Sequence, residues 1–315
     1  MSQSAGGAAL VTGGSGFIGT WVLRELLARG VQPIAYDLQP HPERWQRVLG
    51  PGADRVKFVQ GSLLEREKLA AACDQHEVRH LIHLAALLTP ACQADPWTGC
   101  EVNVMGTLAV FELARERADR IGGVSYASSY AVYGPEADDA APAEAPADDN
   151  PPMFYGAFKK AADMIADQYW RHFRVPSLGI RPHVVYGPER EQGLTAGPSL
   201  AARAAAHGEA WTIGYTGRVG YDYVEDVARA FVRGALETPA GHHLVDLPGE
   251  VATTEQFAQA IEAAVPELHG QIKVEGPPIP SNVPPTPNYI SALYADWKAT
   301  SLADGVRQTI AFYRA

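Results

Sequence analysis

The chain has 315 residues, 46% hydrophobic and 20% charged, with a formal net charge of −10 and a pI near 5.5. This composition specifies a globular chain with room for one large domain or a domain plus a smaller appendage. Acidity without any Lys/Arg cluster excludes a nucleic-acid surface.

Met1–Ala9 is too short and too polar for a signal peptide, and no apolar run reaches membrane-spanning length, so no membrane partner is expected. Ala8–Thr12 is then a short apolar run that ends in glycines. A helical pattern through Trp21, Val22, Leu26 and Leu27 follows and stops at Gly30. Val31–Asp37 and Val56–Val59 read as the next two strands. His80–Ala85 is continuously apolar, as a parallel strand buried on both faces would be. Helix Val102–Arg117, strand Gly123–Ser128, helix Tyr155–Phe173 and strand Ser177–Arg181 complete a βαβ alternation, which implies a doubly wound parallel sheet with ligands at the strands' carboxyl ends. After Tyr186 helices shorten, glycine and proline become frequent and the alternation is lost. Ala137–Pro152 and Gly276–Pro287 read as exposed loop segments, and Gly241–Leu247 can return to the sheet as a strand. The expected organisation is an α/β Rossmann domain over residues 1–186, rejoined by a segment near 221–247, with 187–315 mostly a substrate-binding cap. Cys73, Cys92 and Cys100 form no CxxC pair and lack the histidines of a zinc site; no metal or disulfide framework is expected, and the thiols point to a reducing, cytoplasmic setting.

The turn Thr12-Gly13-Gly14-Ser15-Gly16-Phe17-Ile18-Gly19 joins the first strand to the first helix, with Gly13, Gly16 and Gly19 at G-x-x-G-x-x-G spacing. Glycines there let the backbone approach a pyrophosphate seated on the helix N-terminus. Asp37 closes the second strand, where an acidic group accepts from the ribose hydroxyls and repels a 2′-phosphate, so the expected cofactor is NAD rather than NADP. No arginine directly follows it.

Tyr155 and Lys159 stand four residues apart on one helical face. A free phenol, with a pKa of about 10, is a poor base at neutral pH, and a neighbouring ammonium lowers that value. Ser128 and Ser129 lie at the end of another strand, where a hydroxyl can share the substrate oxygen with the tyrosine.

Together with His83-Leu84-Ala85-Ala86, Asn103-Val104-Met105-Gly106-Thr107, Arg181-Pro182, Tyr186-Gly187-Pro188 and Tyr223-Val224-Glu225-Asp226-Val227-Ala228, these motifs resemble the extended short-chain dehydrogenase/reductase family over about the first 235 residues. The resemblance implies that Tyr155 is the general base, that Lys159 holds the nicotinamide ribose, and that Ser129 rather than Ser128 binds the reacting oxygen. It implies a cofactor set of Gly13, Gly16, Phe17, Ile18, Gly19, Asp37, Ser62, Leu63, Ala85, Ala86, Asn103, Tyr155 and Lys159. It also implies a homodimer paired through helices Val102–Arg117 and Tyr155–Phe173.

The family's nucleotide-sugar pattern is broken at Val184, at Leu88 and at Arg218, which stands one position from the usual arginine; these changes remove partners for a diphosphate. The expectation is therefore NAD-dependent hydride transfer at a secondary hydroxyl or carbonyl carbon of a small sugar-like or polar substrate, contacted by Thr89, Tyr130, His183 and Arg218. An NDP-sugar 4-epimerase that retains NAD is the first alternative, and a non-catalytic NAD-binding regulator the second.

Overall fold

A computed structural model describes residues 7–134, 151–279 and 287–315. Most of the loop expected over 137–152, and residues 280–286 of the proline-rich stretch, lie outside the described residues.

The chain forms two compact units. Unit 1 is Met1–Ser129, Met153–Arg181 and Ala228–Val245; unit 2 is Tyr130–Pro152, Pro182–Val227 and Asp246–Ala315. In chain order the elements of unit 1 begin with β1 (Ala8–Thr12), α1 (Phe17–Ala28), β2 (Gln32–Asp37), α2 (Pro42–Leu49), β3 (Lys57–Gln60), α3 (Arg66–Gln75) and β4 (Val78–His83). They continue with α4 (Thr89–Ala94), α5 (Pro96–Cys100), α6 (Gly106–Glu116), β5 (Val124–Ala127), α7 (Phe154–Phe173) and β6 (Ser177–Arg181). Unit 2 holds β7 (Val184–Tyr186), α8 (Gly197–Ala206), β8 (Trp211–Ile213) and β9 (Arg218–Tyr223). After it, α9 (Val224–Leu236) leads back into unit 1 and β10 (His242–Asp246). Then β11 (Glu250–Thr253), α10 (Thr254–Ala264), β12 (Ile272–Val274) and α11 (Leu302–Arg314) complete unit 2.

Unit 1 is a seven-stranded sheet in the order β10-β6-β5-β4-β1-β2-β3, a Rossmann-like doubly wound arrangement. The pairings of β1 with β2 and β4, β2 with β3, β4 with β5 and β5 with β6 are all parallel. β1 and β6 are buried at every position, because helices cover both faces of central strands. Edge strand β3 has exposed ends and only half-buried residues between them. β1 and β6 coincide with the expected spans, and the other strands of unit 1 differ by a few residues. The strand expected near Gly241–Leu247 is β10.

Two readings need correction. The helix expected over Val102–Arg117 opens with a π-helical turn, Glu101–Met105, before α6. And α8, α9, α10 and α11 run 10, 13, 11 and 13 residues, so the helices do not dwindle after Tyr186. Unit 2 builds these around small sheets, β11-β9-β7 and β12-β8, assembled from strands far apart in sequence. Among the described residues no helix is long and apolar enough to cross a membrane, no group of His, Cys, Asp or Glu could hold a metal, and all three cysteines are free.

Candidate active site

The glycine turn between β1 and α1 is a cradle that side chains would fill. Gly13 has φ +73°, and a Cβ there would lie 2.8 Å from the Ala85 nitrogen. A Cβ on Gly19 would meet the Gly13 carbonyl oxygen. The N-cap of α1, Gly16, offers no side-chain bond and the first turn carries no acidic residue, so its N–H groups face no competing anion from that turn. Phe17 and Ile18 are half-buried on that turn. This architecture fits a pyrophosphate.

Asp37 is fastened to the same turn. Its Oδ2 accepts from Ser15 N–H at 3.0 Å and its Oδ1 from Leu38 N–H at 2.7 Å. Burial pushes its carboxyl up, and the two N–H groups pull it back. The carboxylate is therefore held at the end of β2 with acceptor capacity left for ribose hydroxyls. Helix α2, absent from the sequence reading, adds two further ties: Arg44 Nη1 donates to the Ser15 carbonyl at 3.0 Å and Trp45 Nε1 reaches the Gly14 carbonyl at 3.4 Å. A cation thus reaches the glycine turn although none directly follows Asp37.

The segment after β4 is pinned from both sides. The Thr12 hydroxyl oxygen accepts from Leu84 N–H (3.2 Å) and Ala85 N–H (3.3 Å) and sits 2.7 Å from His83 Nδ1. His83 Nε2 reaches Thr107 Oγ1 at 3.1 Å, and that hydroxyl donates to the Asn103 carbonyl at 2.6 Å. In the consistent set of donors the Thr12 hydroxyl donates to an unprotonated His83 Nδ1, and Nε2–H donates to Thr107 Oγ1. Burial, helped by the Lys159 charge, holds His83 down near pKa 3, so it is a neutral core residue. Ala85 and Ala86 are half-buried beside the cradle.

The Asn103 amide is bonded to a neighbouring loop. Its Oδ1 accepts from Leu87 N–H (2.8 Å) and its Nδ2 donates to the Leu87 carbonyl (2.9 Å), so it holds the loop that carries Ala85 and Ala86. The π-helical turn is what brings it there. Leu63 belongs to the buried core and packs on Gly106, while Ser62 offers its carbonyl to the Tyr36 phenol at 2.9 Å. Thr89 is half-buried as the first residue of α4.

Tyr155 and Lys159 sit on the first turns of α7, with Lys159 Nζ 5.7 Å from the Tyr155 ring centre. Lys159 is buried, and its ammonium donates to the Ala127 carbonyl at the end of β5, 2.7 Å away. Burial drives its pKa down to about 8 against the pull of Asp163 and Cys92. Two residues past Ala127, Ser129 is half exposed. Ser128 is not available: it is buried and its hydroxyl donates to Asp163 Oδ2 at 3.0 Å. Strand register thus separates two adjacent serines into one locked in the core and one facing out.

In unit 2, Tyr130 stacks on His183 with ring centres 4.6 Å apart and planes 7° from parallel. His183 Nδ1 accepts from Gly220 N–H (2.9 Å), the His183 backbone N–H donates to Asp222 Oδ2 (2.7 Å), and burial lowers the imidazole pKa to about 4. Arg218 is exposed at the start of β9, and the next residue, Val219, is 1% exposed. A shift of one residue along a strand reverses the face. Val184 is likewise buried.

Comparison with known proteins agrees with this architecture. The chain is 26% identical over 335 residues to a probable UDP-glucuronate 4-epimerase of Rhizobium meliloti, covering 96% of each. It is 32% identical over 193 residues to the D-erythronate dehydrogenase of Cupriavidus necator, covering 55% of this chain and 56% of that one. The crystal structure of Thermus thermophilus UDP-glucose 4-epimerase in complex with NAD superposes with a TM-score of 0.78 at 25% identity, over 98% of this chain and 99% of the other. With the glycine cradle, Asp37 and the Tyr155/Lys159 pair in place, and with residues 9–245 matching its family model, the chain belongs to the NAD dependent epimerase/dehydratase family, within the extended short-chain dehydrogenase/reductases, and is an NAD-dependent enzyme.

Proposed function

We propose that this enzyme transfers a hydride at a secondary hydroxyl or carbonyl carbon of a small sugar-like or polar substrate that carries no nucleotide diphosphate, with Tyr155 as general base. The observation that carries the chemistry is the buried Lys159 ammonium beside the Tyr155 ring, held in place by the Ala127 carbonyl. A cation so placed favours the phenolate, which lets Tyr155 take the hydroxyl proton near neutral pH. Ser129 holds the same oxygen. One of the three ammonium donors is used by Ala127, which leaves two for ribose hydroxyls. Bound NAD supplies the hydride acceptor.

Charge supports the substrate class. Unit 2 contains seven Lys or Arg residues and twenty Asp or Glu. A diphosphate brings about two negative charges, which are costly to desolvate without paired cations. On this reading unit 1 binds the cofactor and unit 2, through Tyr130, His183 and Arg218, selects the substrate. Nucleotide-sugar 4-epimerisation with retained NAD is the second reading, favoured by the full-length similarity to a probable UDP-glucuronate 4-epimerase.

Thermal shifts in the presence of NAD separate the two. D-glucose, D-galactose, D-glucuronate or D-erythronate should stabilise the protein, by about 2.7 kcal/mol at 100 times Kd, while UDP-glucose and UDP-glucuronate leave the melting temperature unchanged. A shift with the UDP-sugars, or inversion of their C4 centre, establishes the epimerase instead.

A homodimer belongs to the same proposal. Met105 ahead of α6 is 51% exposed, and Met164 and Phe173 on α7 are 62% and 52% exposed, an apolar set that a two-fold interface would cover. A sedimentation mass of one 33.8 kDa chain at micromolar concentration would rule it out.

A further inference from the structure

Asp163 lies one helical turn beyond Lys159 on α7 and is 3% exposed. Three donors from two strands converge on it. The Tyr126 phenol donates to Oδ1 at 3.0 Å, and Oδ2 receives the Ser128 hydroxyl at 3.0 Å and Arg181 Nη2 at 2.6 Å. Tyr126 and Ser128 flank Ala127, whose carbonyl holds the Lys159 ammonium, and Ser129 follows directly. One carboxylate thus ties the end of β5 to the tyrosine–lysine helix and anchors β6 to both.

We propose that Asp163 is a positioning residue for the reaction: it sets the end of β5 so that Ser129 faces outward and Lys159 is held, and its charge keeps the buried Lys159 protonated. This rests on the assignment of Lys159 to the nicotinamide ribose. Core packing alone does not need a carboxylate here, since a buried ion pair is commonly no more stabilising than apolar groups of similar volume. The charge earns its place through a neighbour. The charged or titratable groups around Lys159 are Asp163 and Tyr155 on α7, Cys92 on α4 and His83 on β4; of these, Asp163 is the principal group opposing the effect of burial on Lys159.

The test reads NAD itself. Tryptophan fluorescence quenching gives the Kd for NAD from pH 6 to 10. In the wild-type protein affinity should weaken as pH rises through about 8, where Lys159 loses its proton. In Asp163→Asn the midpoint should move to lower pH by roughly one unit, because a stabilising charge on the protonated form is gone. Ser128→Ala cuts one arm of the network without touching the charge, and its midpoint should match wild type. If Asp163→Asn does not fold, Asp163→Asn/Arg181→Met removes both buried charges and should show the same downward move. An unchanged midpoint in a folded variant, with only a lower melting temperature, overturns the proposal and leaves Asp163 structural. A wild-type Kd that is flat across the whole range overturns the Lys159 assignment, and the proposal with it.

Discussion

The two units differ in how charge is used. Unit 1 carries nineteen Lys and Arg against sixteen Asp and Glu, close to balance, whereas unit 2 carries seven against twenty and accounts for the acidity of the chain. In unit 1 the charges of the candidate site are buried or half-buried and tied to backbone: Lys159 to Ala127, Asp37 to Ser15 and Leu38, Arg44 to Ser15. In unit 2 the buried charges are carboxylates that staple loops, Asp222 to His183, Asp246 to Asn288 and Tyr133, Asp226 to Thr300. A cofactor with a fixed anionic centre calls for the first pattern, and on the proposed reading the second would disfavour a diphosphate.

The comparison breaks most visibly at Tyr155. If the chemistry resides in unit 1, Tyr155→Phe should lower turnover by roughly 100-fold or more, the usual cost of losing a general base, with little change in NAD affinity. Near-normal turnover in a folded variant removes Tyr155 from the mechanism.

A smaller effect tests the carboxylates of unit 2. Asp222 is pushed up to about 7, mainly by burial and further by Asp226 and Asp246, while the His183 and Gly249 N–H groups oppose the rise. The folded value lies above the ordinary 3.8. Between those values the folded protein keeps a proton that the unfolded chain has lost, so the Asp222 contribution to stability should decline as pH rises from about 4 to about 7 and level off above. The size is on the order of a few kcal/mol. Asp222→Asn should flatten this slope in urea unfolding between pH 5 and 8, whatever it does to absolute stability. An equally steep slope in the variant would assign the pH dependence to another group.

Local signals in the sequence were enough for the glycine turn and for β1 and β6. Each rests on residues next to one another in the chain. What stayed illegible depends on distance. Arg44 and Trp45 meet the glycine turn from 29 and 31 residues away, and α2 (PERWQRVL) is too short and too polar to announce itself. The bonds from Asn103 to Leu87 depend on the π-helical turn, which no local pattern announces. The sheet β11-β9-β7 joins strands of four, six and three residues from separate parts of the chain, and no periodicity can show at that length.

The smallest expected effect concerns the choice of dinucleotide, and it sharpens what balance means in unit 1. Asp37 and Arg44 bracket one residue: the carboxylate accepts from the Ser15 N–H and the guanidinium donates to the Ser15 carbonyl. With Asp37 present, its charge and its free acceptor capacity favour ribose hydroxyls and oppose a 2′-phosphate. Asp37→Ser removes that repulsion and leaves Arg44 as the charge on the turn, the sign a phosphate needs. NAD binding should weaken by about 10-fold, roughly the value of one hydrogen bond to a charged group, while NADP binding holds or improves. The ratio of the two dissociation constants, measured by fluorescence titration, should therefore fall mainly through the NAD side. Adding Arg44→Ala to Asp37→Ser should reverse any gain in NADP affinity. A wild-type protein that already binds both dinucleotides equally would remove Asp37 from the choice and leave Arg44 as the dominant charge at the turn.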